Sequence, residues 1–123
     1  MFGQNKVHAN FSVDNLEVAK SFYVDKLGLK VKESMEGNMV LEAGEGTCIN
    51  IYEKADHQPW DATVLGIETS DAHDAVRQLK DLGIEVERID GTDESGVMSI
   101  PEMGKAAWLK DPAGNWVCIS SRP

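Results

Sequence analysis

The chain is poor in cysteine, poor in positive charge and without a long hydrophobic run. It has two cysteines, Cys48 and Cys118, and no CxxC pair. That excludes a zinc finger or a thioredoxin-type motif. Lys and Arg number 12 against 21 Asp and Glu, a net charge of −9. With no basic stripe, such a chain is repelled by phosphate backbones and anionic membrane surfaces, so neither nucleic acid nor membrane is an expected partner. No segment approaches the length of a membrane span. The opening MFGQNKVHAN carries no apolar run of leader length. A cytoplasmic location is therefore expected, with both thiols free rather than bridged.

What is present fits one domain over 1–123. A chain of this size hides roughly two-thirds of its unfolded surface. Hydrophobic content of 41% and charged content of 27% are those of an ordinary globular protein.

The organising feature is a duplication. VDNLEVAKSFYVDKLGLKVKE from Val13 and TSDAHDAVRQLKDLGIEVER from Thr69 each run from a strand end through a polar cap and an amphipathic stretch to a Leu-Gly stop and a new strand. Asp14 corresponds to Ser70 and Leu27-Gly28 to Leu82-Gly83, so the first helix is one residue longer. A duplicated module commonly forms a pseudo-symmetric cleft between its copies.

Residues 6–13 alternate: Val7, Ala9, Phe11 and Val13 are apolar, and His8, Asn10 and Ser12 share the other face. Asp14 is the expected N-cap, with Glu17 as capping-box partner. Leu16, Ala19, Phe22, Tyr23 and Leu27 recur at helical spacing, and Gly28 fits the left-handed stop. Strands are expected at 29–35, 38–43 and 47–54. In the second copy a strand at 62–69 precedes a Ser70 or Asp71 cap. A helix follows with Ala72, Ala75, Val76, Leu79 and Leu82 on one face, then strands at 84–90, about 105–110 and 115–121. The irregular stretch 91–104, with Met98 and Met103, fits either an adaptable lid or a plain excursion. Asp111-Pro112-Ala113-Gly114-Asn115 is the final hairpin turn. Module one is placed at 5–54 and module two at 60–121. His57, in the linker, and His73, on a helix face, are expected to be solvent-exposed.

The opening from His8 through Val13-Asp14, Phe22-Tyr23 and Leu27-Gly28, together with the closing Asp111-Pro112-Ala113-Gly114-Asn115, resembles the vicinal oxygen chelate superfamily. This is the group of glyoxalase I, bleomycin-resistance proteins and extradiol dioxygenases. The resemblance covers nearly the whole chain. It implies an α+β fold of two tandem βαβββ modules, with curved mixed sheets around a cleft and helices outside. Two-module members commonly form homodimers, so a homodimer is expected.

Metal-dependent members draw ligands from the first and last strands of each module. The matching positions here are His8, Asn50, Val64 and Cys118. A catalytic divalent ion needs three or four imidazole or carboxylate ligands. Valine cannot ligate and neutral Asn is a poor ligand, so His8 is the only good ligand at these positions. The expectation is a protein with no metal and no cofactor that binds a small organic molecule in an aromatic cleft. The alternative is a divalent-metal-dependent lyase, isomerase or dioxygenase, with His8 as one ligand. The sequence leaves open whether the protein is an enzyme.

The candidate ligand contacts are His8, Asn10, Asn50, Tyr52, Trp60, Trp108 and Cys118. His8 could move a proton or anchor a ligand, the usual roles of an imidazole. Cys118 is a nucleophile only if a cationic neighbour lowers its pKa; His8 and Cys118 are thus weak catalytic candidates. Tyr52, Trp60, Trp108 and Trp116 offer flat apolar walls with a polar handle, and Trp60 and Trp108 lead by position. Bleomycin-resistance-like members stack planar cationic drugs between aromatic and acidic side chains, and this chain is acidic. Cys48 is expected to pack.

Overall fold

The computed structural model describes all residues from Met1 to Pro123. They divide into two compact units, Met1–Gln58 and Pro59–Pro123. Each unit is a four-stranded mixed sheet with helix packed on one face, the α+β arrangement expected from the repeat.

In the first unit, strand β1 (Ala9–Val13) leads into helix α1 (Leu16–Lys20), which continues as a π-helical turn over Ser21–Lys26. Strands β2 (Lys30–Met35), β3 (Asn38–Glu42) and β4 (Cys48–Glu53) follow, in sheet order β1-β4-β3-β2. β1 runs parallel to β4 and the other pairs are antiparallel. Alternation decides which side is covered: Phe11, Val13, Met39, Leu41, Ile49 and Ile51 are buried. Ala19, Phe22 and Tyr23 from the helix cover them, with the Phe11 and Tyr23 rings 5.8 Å apart. The opposite pleat carries Asn10, Ser12, Asn38, Asn50 and Tyr52.

The cap of α1 differs from expectation. Asn15, not Asp14, is the N-cap; it holds extended backbone angles and accepts from the Val18 N–H at 3.1 Å. Glu53, distant in sequence, accepts from the Leu16 N–H at 2.9 Å. The extra residue of the first copy is absorbed in the π turn, where the Leu27 N–H reaches back five residues to the Phe22 carbonyl at 3.0 Å. Both Leu-Gly stops form, with Gly28 at φ 82° and Gly83 at φ 79°.

In the second unit, β5 (Thr63–Glu68) leads to α2 (Ala72–Asp81), capped by Asp71. β6 (Met98–Ile100), β7 (Gly104–Lys110) and β8 (Trp116–Ser121) complete the sheet in the order β5-β8-β7-β6. The strand expected at 84–90 does not form as a ladder. Ile84 and Val86 are buried as the alternation requires, but the segment meets β7 through the Glu87 N–H to the Trp108 carbonyl at 2.7 Å. Met98–Ile100, inside the stretch expected to be irregular, pairs with Gly104–Ala106 and takes the edge position.

The closing turn is built on Asp111, which is 4% exposed. Its carboxylate accepts from the backbone N–H groups of Ala113 at 2.9 Å and Asn115 at 2.8 Å. That is an Asx turn, which is why Asp opens the motif. No helix is long and apolar enough to cross a membrane.

Candidate functional site

The first unit's uncovered sheet face is a polar surface built by strand register. Asn10 lies opposite Asn50, and Asn50 opposite Val40. The Asn50 amide donates to the Asn10 carbonyl oxygen at 2.6 Å and accepts from Asn38 at 2.8 Å. Asn50 therefore sits in the middle of a three-amide row. Tyr52 lies one pleat further along, opposite both Ser12 and Asn38, and is 38% exposed.

His8 precedes β1 rather than lying within it, and is exposed. His57 was expected to be free in solvent but is half-buried, with Nδ1 2.7 Å from the Ser12 hydroxyl. His73 likewise is engaged, its Nε2 lying 2.8 Å from the Asp93 carboxylate. Cys48 is half-buried, with the Lys32 ammonium 3.9 Å from its sulfur.

The second unit's uncovered face carries the aromatics. Trp108 lies opposite Cys118, which on its other side lies opposite Gly66. Trp116 lies opposite Lys110 on the same pleat, and the Lys110 ammonium sits 4.8 Å from its ring centroid. Trp108, Trp116, Thr63, Asp61, Ala62 and Ile89 line a pocket of about 230 Å³. The Trp108 indole N–H donates to the Thr63 hydroxyl at 3.2 Å, which fixes the ring plane. Trp116 thus joins Trp108, whereas Trp60 is 70% exposed and lies outside this pocket. The signal for Trp116 was available: the two tryptophans stand in the same pleat phase on either side of the Asp111 turn.

Burial pushes the Cys118 thiol above its ordinary pKa. This is the opposite of what thiolate catalysis needs, and the neutral thiol dominates at pH 7.

The four positions where metal-dependent relatives would place ligands hold His8, Asn50, Val64 and Cys118. Asn50 already shares its amide with two neighbours. Val64 falls at the irregularity in the β5–β8 register and offers only carbon. Cys118 is held as the thiol. No three His, Cys, Asp or Glu side chains stand close enough to hold a metal ion. These residues do not fit a catalytic divalent ion.

A family model for the Glyoxalase/Bleomycin resistance protein/Dioxygenase superfamily matches residues 6–119. No protein of curated function matches the chain. Among solved structures, the bleomycin resistance determinant encoded on transposon Tn5 is similar with a TM-score of 0.75 and 18% identity, over 97% of this chain and 98% of that one. Lactoylglutathione lyase from Agrobacterium tumefaciens is similar with a TM-score of 0.74 and 18% identity, over 97% and 95%. A glyoxalase/bleomycin resistance protein/dioxygenase from Alicyclobacillus acidocaldarius gives 0.71 and 21%, over 99% and 95%. At these identities the structural likeness is one of fold, while the family model spans nearly the whole sequence. The chain belongs to the glyoxalase/bleomycin resistance protein/dioxygenase superfamily.

Proposed function

We propose that the protein binds a small organic molecule with a planar aromatic part and does so without a catalytic metal. The observation that carries this is the pocket between Trp108 and Trp116, with one indole fixed by Thr63 and Asp61 at the edge. Indole faces stack planar groups and attract cations. Lys110 already rests on the Trp116 face, so a ligand cation has a site to compete for. On the first unit, exposed Asn10 and Tyr52 offer hydrogen bonds, with His8 exposed nearby in sequence. The donor set argues against a metal: one imidazole, one amide, one hydrocarbon and one raised-pKa thiol. A homodimer and a cytoplasmic location belong to the same proposal. Exposed Val31 and Met35 on the edge strand β2 support the former, and two free cysteines are compatible with the latter.

A thermal-shift screen with planar aromatic cations tests the reading, since any ligand selective for the native state raises the melting temperature. The hit should quench tryptophan fluorescence, and Trp108→Ala should weaken it by about tenfold or more. Stoichiometric nickel, zinc or iron surviving dialysis would overturn the metal-free part. A hit unaffected by Trp108→Ala would overturn the pocket.

A further inference from the structure

We propose a second binding site, for an organic anion with an apolar body, in the groove between α2 and the chain that follows it. The groove encloses about 630 Å³, within the size range of small-molecule sites. It lies on the helix side of the second sheet, on the opposite pleat from Trp108 and Trp116.

The floor is aliphatic. Val76 from α2 and Ile84 and Val86 from the following segment are each no more than 9% exposed. Burial alternates along the segment, with Ile84 and Val86 buried and Glu85 exposed, and the Glu87 N–H donates to the Trp108 carbonyl at 2.7 Å. Arg88 lies on the same side as Val86, since the side chains of both border the side of Gly96 where a β-carbon would stand. Glu85 and Glu87 alternate with these residues and, with Glu94, also line the groove. On the helix, Arg77 and Lys80 stand three residues apart and share a face beside Val76. Arg77, Lys80 and Arg88 thus stand around one apolar floor and share its lining with Glu85, Glu87 and Glu94, so the anion preference rests on the cations being the groups placed beside Val76 and Val86.

Those cations are available. Lys80 makes no ion pair. Arg77 pairs with Asp74 at 3.1 Å, with both side chains more than half exposed, a pair worth little. Arg88 uses one N–H on the Glu94 carbonyl and keeps the rest of its fork.

The groove is also preformed. Its far wall is the turn carrying Glu94 and Ser95, and Asp93 organises that turn. The Asp93 carboxylate accepts from the Ser95 N–H at 2.9 Å and the Val97 N–H at 3.0 Å, and meets His73 of α2 at 2.8 Å. A wall already tied to the helix lowers the ordering a ligand must impose. An anionic head would take the guanidinium and ammonium groups, and an apolar body would cover Val76, Ile84 and Val86.

The test uses 8-anilinonaphthalene-1-sulfonate as the fluorescent probe, displaced by octanoate. The probe should bind and octanoate should displace it, while octylammonium and inorganic phosphate should not. The double variant Arg77→Glu/Lys80→Glu changes exposed helix positions and should melt close to wild type. It should weaken octanoate competition about tenfold or more. Trp108→Ala should leave that competition intact. The proposal is overturned if the probe does not bind, if octylammonium competes as well as octanoate, if the double variant binds octanoate unchanged, or if Trp108→Ala alone abolishes binding.

Discussion

Asn50 donates its side-chain N–H to the Asn10 carbonyl oxygen at 2.6 Å while accepting from Asn38 at 2.8 Å. Asn50 therefore spends its amide on holding two neighbours in place. Asn50→Leu removes both bonds from a half-buried position. A net hydrogen bond contributes about 1 kcal/mol, and part-exposed partners recover some of it from water. The expected loss is about 1 kcal/mol, read as a lower urea midpoint at unchanged m-value. Asn10→Ala, at an exposed position losing one bond, should lose less. Equal losses would show that the row is not centred on Asn50.

The sequence revealed these residues unevenly. Asn10 was legible from the alternation of residues 6–13 and Asn50 from its match to a family ligand position, and register puts the two side by side. The Ser12–His57 contact was not, because His57 lies beyond the strands in a segment without periodicity. The segment 84–90 shows the limit of pattern reading. Its alternation reports burial correctly at Ile84 and Val86, but alternation does not name a hydrogen-bonding partner. Met98–Ile100 pairs with Gly104–Ala106 at the start of the β7 edge instead. The one-residue difference between the copies was visible. Its form, a π turn over Ser21–Lys26 with Phe22 and Tyr23 both buried, was not, because helical periodicity does not distinguish an inserted residue in the helix from one in the loop.

Cys118 should be slow to alkylate. Burial disfavours the thiolate and raises its pKa. In a Cys48→Ser background, the rate of reaction with iodoacetamide should be low at pH 7 and rise through a midpoint above the ordinary thiol value of about 8.5. A midpoint near 7 would restore Cys118 as a nucleophile.

Asp93 should make stability depend on acid pH. The hydrogen bond from His73 is the main cause holding its carboxyl well below the usual range, followed by the Ser95 hydroxyl and the Val97 N–H. A depressed carboxyl pKa stabilises the fold above the unfolded-state value of about 3.9. That contribution is lost as pH falls through the lower folded-state value. Asp93→Asn should therefore melt below wild type at pH 7, and the gap should close progressively below about pH 4. Melting curves between pH 3 and 8 measure it. A constant gap would mean that the carboxylate acts through its shape rather than its charge.

Gly104 should be the glycine least tolerant of substitution. It opens β7 at φ 115°, and a β-carbon there would stand 2.0 Å from the Ser121 carbonyl oxygen and 3.0 Å from the Arg122 α-carbon. Two penalties combine: a backbone angle that L-residues avoid, and an overlap with main chain that no rotamer relieves. Gly104→Ala should lose on the order of 2 kcal/mol or more. Gly28→Ala isolates the first penalty, since Gly28 has φ 82° with open space around its missing β-carbon. Its loss should be nearer about 1 kcal/mol. Urea midpoints for the two variants give the comparison. If Gly28→Ala proves as damaging as Gly104→Ala, the close approach of β7 to the Ser121–Arg122 backbone is not what selects glycine at position 104.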